Sequence, residues 1–269
     1  MSVDNILSLC YTLKYKTFKR TKIYMKLLFM GTGAADWGIK NRVRDDFFRR
    51  FTSIMINDDL MIDCNDETLD FIEKNSCDTS NVKNLLITHT HEDHCSVFAI
   101  NRLFGKDATL FCDKDANLEE DLKSVQKVIP LYTPTRVGKY EVIAVAANHS
   151  VSNSDEQPLN YIISDGEKRM FWGCDGAWLL NQTWHEMKKY KYDLIVLDGT
   201  LGMAEGDYRI FEHNNLRMIT EMSAAFRQLK LLNDGGKIMI SHMSRYAHES
   251  HDELGAYLKK YDITAAFDG

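Results

Sequence analysis

The stretch ITHTHEDHC, residues 87–95, constrains this chain more than any other, because it concentrates three of the nine histidines within six positions. The apolar run just before it predicts a β-strand that ends at this point. His89, His91, Asp93 and His94 therefore fall on a strand end and on the tight turn after it. Imidazole and carboxylate groups are the ligands that borderline divalent metals favour. The stretch predicts that these four side chains converge on a metal site.

The rest of the sequence predicts an α/β protein, because strand-like runs and helical periodicity alternate between Gly, Asn and Asp residues. The predicted strands are KLLFM, TSIMIN, LMID, NLLIT, TLFC, YEVIAVAAN, LNYIIS, RMFWG, DLIVLD and KIMIS. The predicted helices span residues 67–75, 116–127, 184–190, 215–232 and 252–261. Hairpin-like strands come first and alternating strands and helices follow, an order that favours sheet layers covered by helices.

Four of the later strands also end at a residue of ligand type. They lead into His149, Asp175, Asp198 and His242. Because strand ends gather along one edge of the sheet in an α/β protein, these residues are predicted to join the histidine cluster.

Composition excludes several classes of protein. A net charge of -6 argues against a surface built for large nucleic acids. No apolar stretch reaches the roughly 20 residues that a membrane span requires, so no membrane contact is expected. The six cysteines include no C-x-x-C pair and lack the dense spacing of a disulfide scaffold, which favours the cytoplasm.

Taken together, these motifs resemble the metallo-β-lactamase fold superfamily. The shared features are H-x-H-x-D-H, a later single histidine, Gly-x-Asp after a strand and a final strand-end histidine. The resemblance implies an αββα sandwich with a two-metal site at one edge. It covers residues 25–269 as one hydrolase domain, and the lysine- and arginine-rich residues 1–24 are predicted to be an N-terminal extension.

The resemblance also implies a set of ligands. His89, His91 and His149 would hold the first metal, and Asp93, His94 and His242 the second. Asp175 would bridge the two ions, although Asp198, which also ends a strand, competes for that role. Zinc and manganese are the expected metals, with iron a further candidate, because histidine and carboxylate ligands suit all three.

Two ions about 3.5 to 4 Å apart can share a hydroxide and activate it for hydrolysis, so no side-chain nucleophile is needed. Asp93 is a candidate catalytic residue that orients ligands or accepts a proton. Asp63, at the end of LMID, could do the same from behind the ligands, or it could be only a turn residue.

Three stretches are similar to the small phosphodiesterase branch of the superfamily, which includes phosphoribosyl 1,2-cyclic phosphate phosphodiesterase and the tRNA 3'-processing endonucleases. They are MKLLFMGTGAADWG, EHNNL at residues 212–216, and ISHMSRYAHESHDEL with the later ITAAFDG. In that branch a histidine at the head of a helix reaches the leaving-group side of the phosphodiester. The matching residue is His213, a candidate general acid, unless Asn214 caps the helix and His213 is only its neighbour.

Substrate contacts are predicted at Arg49 and Arg50, which end the basic stretch KNRVRDDFFRR, and at His248 beyond the last ligand. Arginine can grip a phosphate with two hydrogen bonds. Surface roles for all three residues remain open alternatives.

The sequence therefore predicts a dinuclear metallohydrolase that cleaves a small phosphodiester, such as a cyclic phosphate, through a metal-bridging hydroxide. Three alternatives remain: hydrolysis of a thioester, lactone or other carboxylic derivative, RNA processing, and metal binding without turnover. A homodimer is compatible with the sequence.

Overall fold

The computed structural model describes residues 25–37, 48–123 and 125–269. The predicted N-terminal extension, residues 1–24, lies outside the described residues. So does most of the basic stretch, including Lys40, Arg42 and Arg44. In the described part of the chain, no helix combines the length and apolar character needed to cross a membrane.

The first sheet has six strands in chain order. They are β1 (Leu27–Gly31), β2 (Ser53–Ile56), β3 (Leu60–Ile62), β4 (Asn84–Leu86), β5 (Thr109–Cys112) and β6 (Gln126–Val128). The pairs β1/β2 and β2/β3 are antiparallel, whereas β3, β4, β5 and β6 run parallel. Because β1, β3 and β4 share a direction, their carboxyl ends meet at one edge.

The second sheet has seven strands, in the order β13-β12-β11-β10-β9-β8-β7. They are β7 (Thr135–Val137), β8 (Tyr140–Ala146), β9 (Leu159–Ser164), β10 (Arg169–Gly173), β11 (Tyr192–Asp198), β12 (Leu232–Ser241) and β13 (Ile263–Ala265). The strands β10 to β13 are parallel, and β9 is antiparallel to both β8 and β10. The strands β8, β10, β11 and β12 therefore all end at the same edge.

Helices cover the outer face of each sheet. They are α1 (Asp66–Asn75), α2 (Val97–Leu103), α3 (Glu120–Lys123), α4 (Asn181–Met187), α5 (Leu216–Gln228) and α6 (His251–Leu258), with short 3₁₀ turns at Ala35–Trp37, Tyr208–Phe211 and Lys259–Tyr261. Apolar residues of α1, α2 and α3 pack on the first sheet. Those of α4, α5 and α6 pack on the second.

Strand alternation explains why this layered arrangement forms. On β10, Met170 and Trp172 point into the core between the two sheets, whereas Phe171 points outward to the helices. On β2, Ile54 faces the inter-sheet core and Met55 faces α1 and α2. Successive side chains of a strand point to opposite faces, so a strand that is apolar throughout must be covered on both sides. The predicted αββα sandwich is the observed layer order.

All ten predicted strands are present, but the predicted helices are less accurate. The helix predicted at residues 116–127 was wrong: only Glu120–Lys123 is helical, and Gln126–Val128 forms edge strand β6. The helix predicted at 215–232 ends at Gln228, and residue 232 begins β12. The helix α2 and the strands β6, β7 and β13 were not predicted.

Candidate metal centre

The first group of ligand-type side chains consists of His89, His91 and His149. His89 and His91 lie on the loop after β4, and His149 lies just after β8. The Nε2 atom of His89 is 3.0 Å from Nδ1 of His91, and that Nδ1 is 3.3 Å from Nε2 of His149. One nitrogen from each ring therefore faces a common point between the two sheets.

The second group consists of Asp93, His94 and His242. The Nε2 atoms of His94 and His242 are 3.1 Å apart. The Oδ2 atom of Asp93 lies 3.5 Å from each of these nitrogens. Because His242 follows β12 and the other two follow β4, this group also joins the two sheets.

Asp175 lies between the two groups. Its Oδ2 atom is 3.4 Å from Nε2 of His149, 3.5 Å from Nε2 of His242 and 3.9 Å from Nε2 of His94. Asp198 instead faces the rear of the second group, with its Oδ2 atom 3.3 Å from Nδ1 of His242. Of the two aspartates that competed for the bridging role, Asp175 lies between the two groups and Asp198 lies behind one of them. A bridging role for Asp175 stays a prediction.

The geometry fits divalent metal ions. Two ligand nitrogens about 2.0 to 2.1 Å from a tetrahedral zinc ion would be roughly 3.3 to 3.4 Å apart, close to the separations within both groups. Oδ1 of Asp175 is buried and accepts no hydrogen bond of good geometry from the described residues, although Nδ1 of His213 lies 2.7 Å away. The other oxygen of Asp175, Oδ2, is the one that faces the Nε2 atoms of His149, His242 and His94. Imidazole nitrogens and carboxylate oxygens that converge in this way are a donor set that suits a divalent metal.

A carboxylate and a threonine support the ligands that follow β4. Oδ2 of Asp63 accepts a hydrogen bond from Nδ1 of His94 at 2.8 Å. The hydroxyl of Thr88 lies 2.9 and 3.0 Å from the two oxygens of Asp63 and 3.0 Å from Nδ1 of His89. Asp63 is fully buried and has a left-handed φ of 60°. The structure therefore places Asp63 directly behind the ligands.

A similar pair supports the ligands of the second sheet. The hydroxyl of Thr200 lies 2.8 Å from Oδ2 of Asp198 and 2.8 Å from Nδ1 of His242. The backbone N–H of Thr200 also donates to Asp198, at 3.0 Å. Each sheet thus contributes a buried aspartate and a threonine. These side chains contact the rear nitrogens of ligand-type histidines, that is, the ring nitrogens that face away from the other ligand-type atoms. Such contacts fix the ring orientation and the tautomer of a metal ligand.

Two further contacts hold the first group in place. Nδ1 of His149 donates to the carbonyl oxygen of Glu212 at 3.3 Å, which directs its Nε2 inward. The carboxylate of Glu156, which is only 5% exposed, accepts hydrogen bonds from the backbone N–H and the hydroxyl of Thr90. Because Thr90 lies between His89 and His91, this contact fixes the turn that carries both rings.

The electrostatics of the site favour a cation. Asp63, Asp93, Asp175 and Asp198 are all buried, and among the described residues their ion-pair partners are histidines. Burial raises the pKa of Asp93, but His94 and His242 outweigh it and hold that pKa at about 2. Burial lowers the pKa of His89 well below its ordinary value, whereas nearby carboxylates outweigh burial and raise the pKa of His94 and His242. Metals bind neutral imidazoles and ionised carboxylates, so a metal that binds His94 and His242 displaces protons.

The candidate acid His213 lies beside the bridging position. Its Nδ1 is 2.7 Å from Oδ1 of Asp175 and 3.2 Å from Oδ2 of Asp198. Burial lowers the pKa of His213, but the two carboxylates outweigh burial and raise it to about 10. Asn215 is the N-cap of α5, accepting a hydrogen bond from the backbone N–H of Met218. His213 therefore precedes the cap by two residues and is held by the aspartates rather than by the helix.

The structure does not bring the predicted substrate contacts into the cluster. Arg49 donates to the hydroxyl of Thr32 and to the carbonyl of Ala266, and Arg50 pairs with Asp70 and Asp268. Nε2 of His248 donates to the carbonyl of Gly199 at 2.6 Å, next to Asp198. Substrate binding by these three residues stays a prediction.

Sequence reasoning missed Thr88, Thr200 and Glu156. Thr88 directly precedes His89, and Thr200 lies two residues after Asp198. Threonine is nevertheless common near strand ends, and nothing in its position indicates which histidine it contacts. Glu156 is 66 residues from its partner Thr90. Only the fold reveals that contact.

Comparison with known proteins supports the fold. A family model described as "Anti-Pycsar protein Apyc1" matches residues 25–104, whereas no curated protein matches the sequence. The metallo-β-lactamase fold protein YhfI from Bacillus subtilis superposes with a TM-score of 0.67 at 16% identity, covering 91% of this chain and 97% of that chain. Zn²⁺-bound PqqB from Methylobacterium extorquens superposes with a TM-score of 0.69 at 15% identity, covering 90% of this chain and 98% of that chain. A diphosphatase from the PhnP family superposes with a TM-score of 0.66 at 16% identity, covering 90% of this chain and 95% of that chain.

The fold and the site together define a protein of the metallo-β-lactamase fold. The resemblance inferred from the motifs is therefore confirmed at the level of the fold.

Proposed function

We propose that this chain is a metal-dependent hydrolase that uses two divalent ions, zinc or manganese, to cleave a small phosphodiester. The observation that carries the proposal is the convergence of six ligand-type atoms in two groups, with Asp175 between them and His213 beside Asp175. When bound, such ions supply Lewis acidity and lower the pKa of water, which is the chemistry that hydrolysis at neutral pH requires.

His213 favours phosphodiester cleavage over cleavage of carboxylic derivatives. Asp175 and Asp198 both face its Nδ1, which leaves Nε2 to donate a proton to a departing alkoxide. The ring is mostly buried, with 13% of its side chain exposed, so its proton is largely shielded from bulk water. The similar structure of a diphosphatase supports phosphate chemistry as well.

The remaining site residues position these groups. Asp63, Thr88, Asp198 and Thr200 hold the rear nitrogens of the ligand rings, so the metal-facing nitrogens keep their lone pairs. Asp93 contributes a buried carboxylate that stays ionised, because its pKa is held at about 2. The site therefore enters the reaction with its ligands already oriented.

The first test combines metal analysis with hydrolysis of bis(p-nitrophenyl) phosphate. We expect two metals per chain after reconstitution with zinc or manganese. His91→Ala should remove one metal and nearly all turnover. His185→Ala, on the exposed side of α4, is the matched control and should change neither.

Two results would contradict the proposal. A wild-type protein that binds no divalent metal would exclude the metal centre. Two bound metals with turnover of thioesters or lactones, but not of phosphodiesters, would retain the metal centre and exclude the substrate class.

A further inference from the structure

The hydroxyl of Thr88 lies at the meeting point of both metal-ligand groups. It is 3.0 Å from Nδ1 of His89, which belongs to the first group, and 2.9 Å from Oδ2 of Asp63. Asp63 in turn contacts Nδ1 of His94, in the second group, at 2.8 Å. Asp63 therefore reaches His94 directly, whereas the structure connects it to His89 only through Thr88.

Counting donors and acceptors assigns the protons of the three shortest contacts; the hydroxyl of Thr88 also lies 3.4 Å from Nδ1 of His94. The carboxylate of Asp63 can only accept, and a threonine hydroxyl donates one hydrogen bond and accepts others. Thr88 must therefore donate its hydroxyl proton to Asp63. Its oxygen is then available to accept the Nδ1–H of His89, while the Nδ1–H of His94 donates to Asp63.

This arrangement has a definite consequence for the rings. When Nδ1 of a neutral imidazole carries the proton, Nε2 carries the lone pair. Nε2 of His89 faces His91, and Nε2 of His94 faces His242, so both lone pairs point into the metal site. If His89 took the other tautomer, its proton would occupy the position of a metal.

We propose that Thr88 is a positioning residue whose hydroxyl sets the tautomer of His89, so that one buried carboxylate, Asp63, orients a ligand in each metal group. The inference rests on the metal site of the proposed function but not on the reaction catalysed there.

The backbone of Thr88 is anchored independently of its hydroxyl. Its N–H donates to Oδ1 of Asp63 at 2.8 Å, and its carbonyl accepts from the N–H of Leu159 at 2.9 Å. The side chain is only 1% exposed. Thr88→Val keeps the shape and both backbone contacts and removes only the hydroxyl, whereas Thr88→Ser keeps the hydroxyl.

The test is nitrogen NMR of metal-free protein labelled with ¹⁵N-histidine, at neutral pH, where burial holds the pKa of His89 well below its ordinary value and keeps that ring neutral. The His89 signal is assigned from its loss in His89→Gln. We expect His89 to be Nδ1-protonated in the wild type and in Thr88→Ser, and to become a mixture of tautomers in Thr88→Val. Thr183→Val is the matched control, because Thr183 is also buried but donates to the carbonyl of Ala146.

The second readout is metal affinity, measured by competition with a chelator. Removal of a residue that orients a metal ligand typically weakens binding about 10- to 100-fold. Thr88→Val should lose affinity within that range, Thr88→Ser should recover most of it, and Thr183→Val should match the wild type.

Two outcomes would overturn the inference. One is a wild-type His89 protonated on Nε2, a result that needs no variant to fold. The other is a folded Thr88→Val protein in which His89 stays fully Nδ1-protonated. Failure of the proposed function looks different: the wild type would bind no metal or cleave no phosphodiester, while the His89 tautomer still depended on Thr88.

Discussion

His213 is the residue on which the choice of substrate class depends. We predict that His213→Ala lowers kcat for a phosphodiester at least about tenfold, because proton donation to a leaving group typically contributes about 10²- to 10⁴-fold. The measurement is steady-state kinetics together with metal analysis of the same samples.

The variant should keep both metals, since the two groups described above consist of other residues, although His213 itself lies close to ligand-type atoms of Asp175, Asp198 and His242. His185→Ala is again the matched control. Unchanged kcat in His213→Ala would remove the acid role. Loss of metal along with activity would instead show that His213 supports Asp175 rather than the substrate.

At this scale, the sequence identified the side chains that converge better than it identified the residues that support them. The spacing of H-x-H-x-D-H and the ligand-type residues at strand ends were enough to select the side chains that the structure brings together. The partners of Arg49 and Arg50 were not predictable, because Ala266 and Asp268 lie more than 200 residues away along the chain. Charge patterns in a sequence do not show which charges are already paired.

At the scale of elements, α1 begins at a residue that also supports the metal centre. Oδ1 of Asn65 caps the helix by accepting from the N–H of Thr68 at 2.9 Å. Nδ2 of Asn65 donates to the carbonyl of Asp93 at 2.8 Å. Asn65 is fully buried, so both contacts are shielded from water.

We predict that Asn65→Ala lowers the free energy of unfolding by about 2 to 3 kcal/mol, the combined cost of a lost cap and of a buried carbonyl without its donor. Metal affinity should fall as well, because the backbone of Asp93 loses a support. Urea denaturation and chelator competition measure the two effects.

Ser250→Ala is the control for this prediction. Ser250 caps α6 by accepting from the N–H of Glu253 and contacts no residue of either metal group. The Ser250→Ala variant should lower the free energy of unfolding modestly and leave metal affinity unchanged. Equal affinity losses in both variants would mean that affinity follows global stability rather than the contact with Asp93.

The errors in predicted elements have identifiable physical causes. Leu118, Leu122 and Val125 have helical spacing, and all three pack in the core between the helices and the first sheet. A short helix followed by an edge strand buries the same residues, so periodicity alone does not separate the two. The missed helix α2 had a usable signal, since Ser96 accepts from the N–H of Ala99 as an N-cap.

At the scale of the whole molecule, the candidate metal centre draws its side chains from both sheets. His89, His91, Asp93 and His94 follow a strand of the first sheet, and His149, Asp175 and His242 follow strands of the second. A ligand that binds only the folded state adds about 2.7 kcal/mol at a concentration 100 times its Kd. Bound metals should therefore stabilise the fold as a whole.

We predict that chelation lowers the Tm by about 5 °C or more, given the typical shift of roughly 2 to 4 °C per kcal/mol in chains of this size. Differential scanning calorimetry with and without EDTA, followed by zinc addition, measures the change. The double variant His91→Ala with His94→Ala should not respond to EDTA. A wild type with the same Tm in both states would contradict the prediction.

The distribution of ligands between the sheets also sets an order of events during synthesis on the ribosome. The four proposed ligands that follow β4 have been synthesised once the chain reaches residue 94. The first group is complete only after His149, the proposed bridge only after Asp175, and the second group only after His242. Strands of the first sheet can pair while the rest of the chain is still being translated. The complete metal centre can form only after almost nine-tenths of the chain has been made, so metal loading is expected to be a late event in biogenesis.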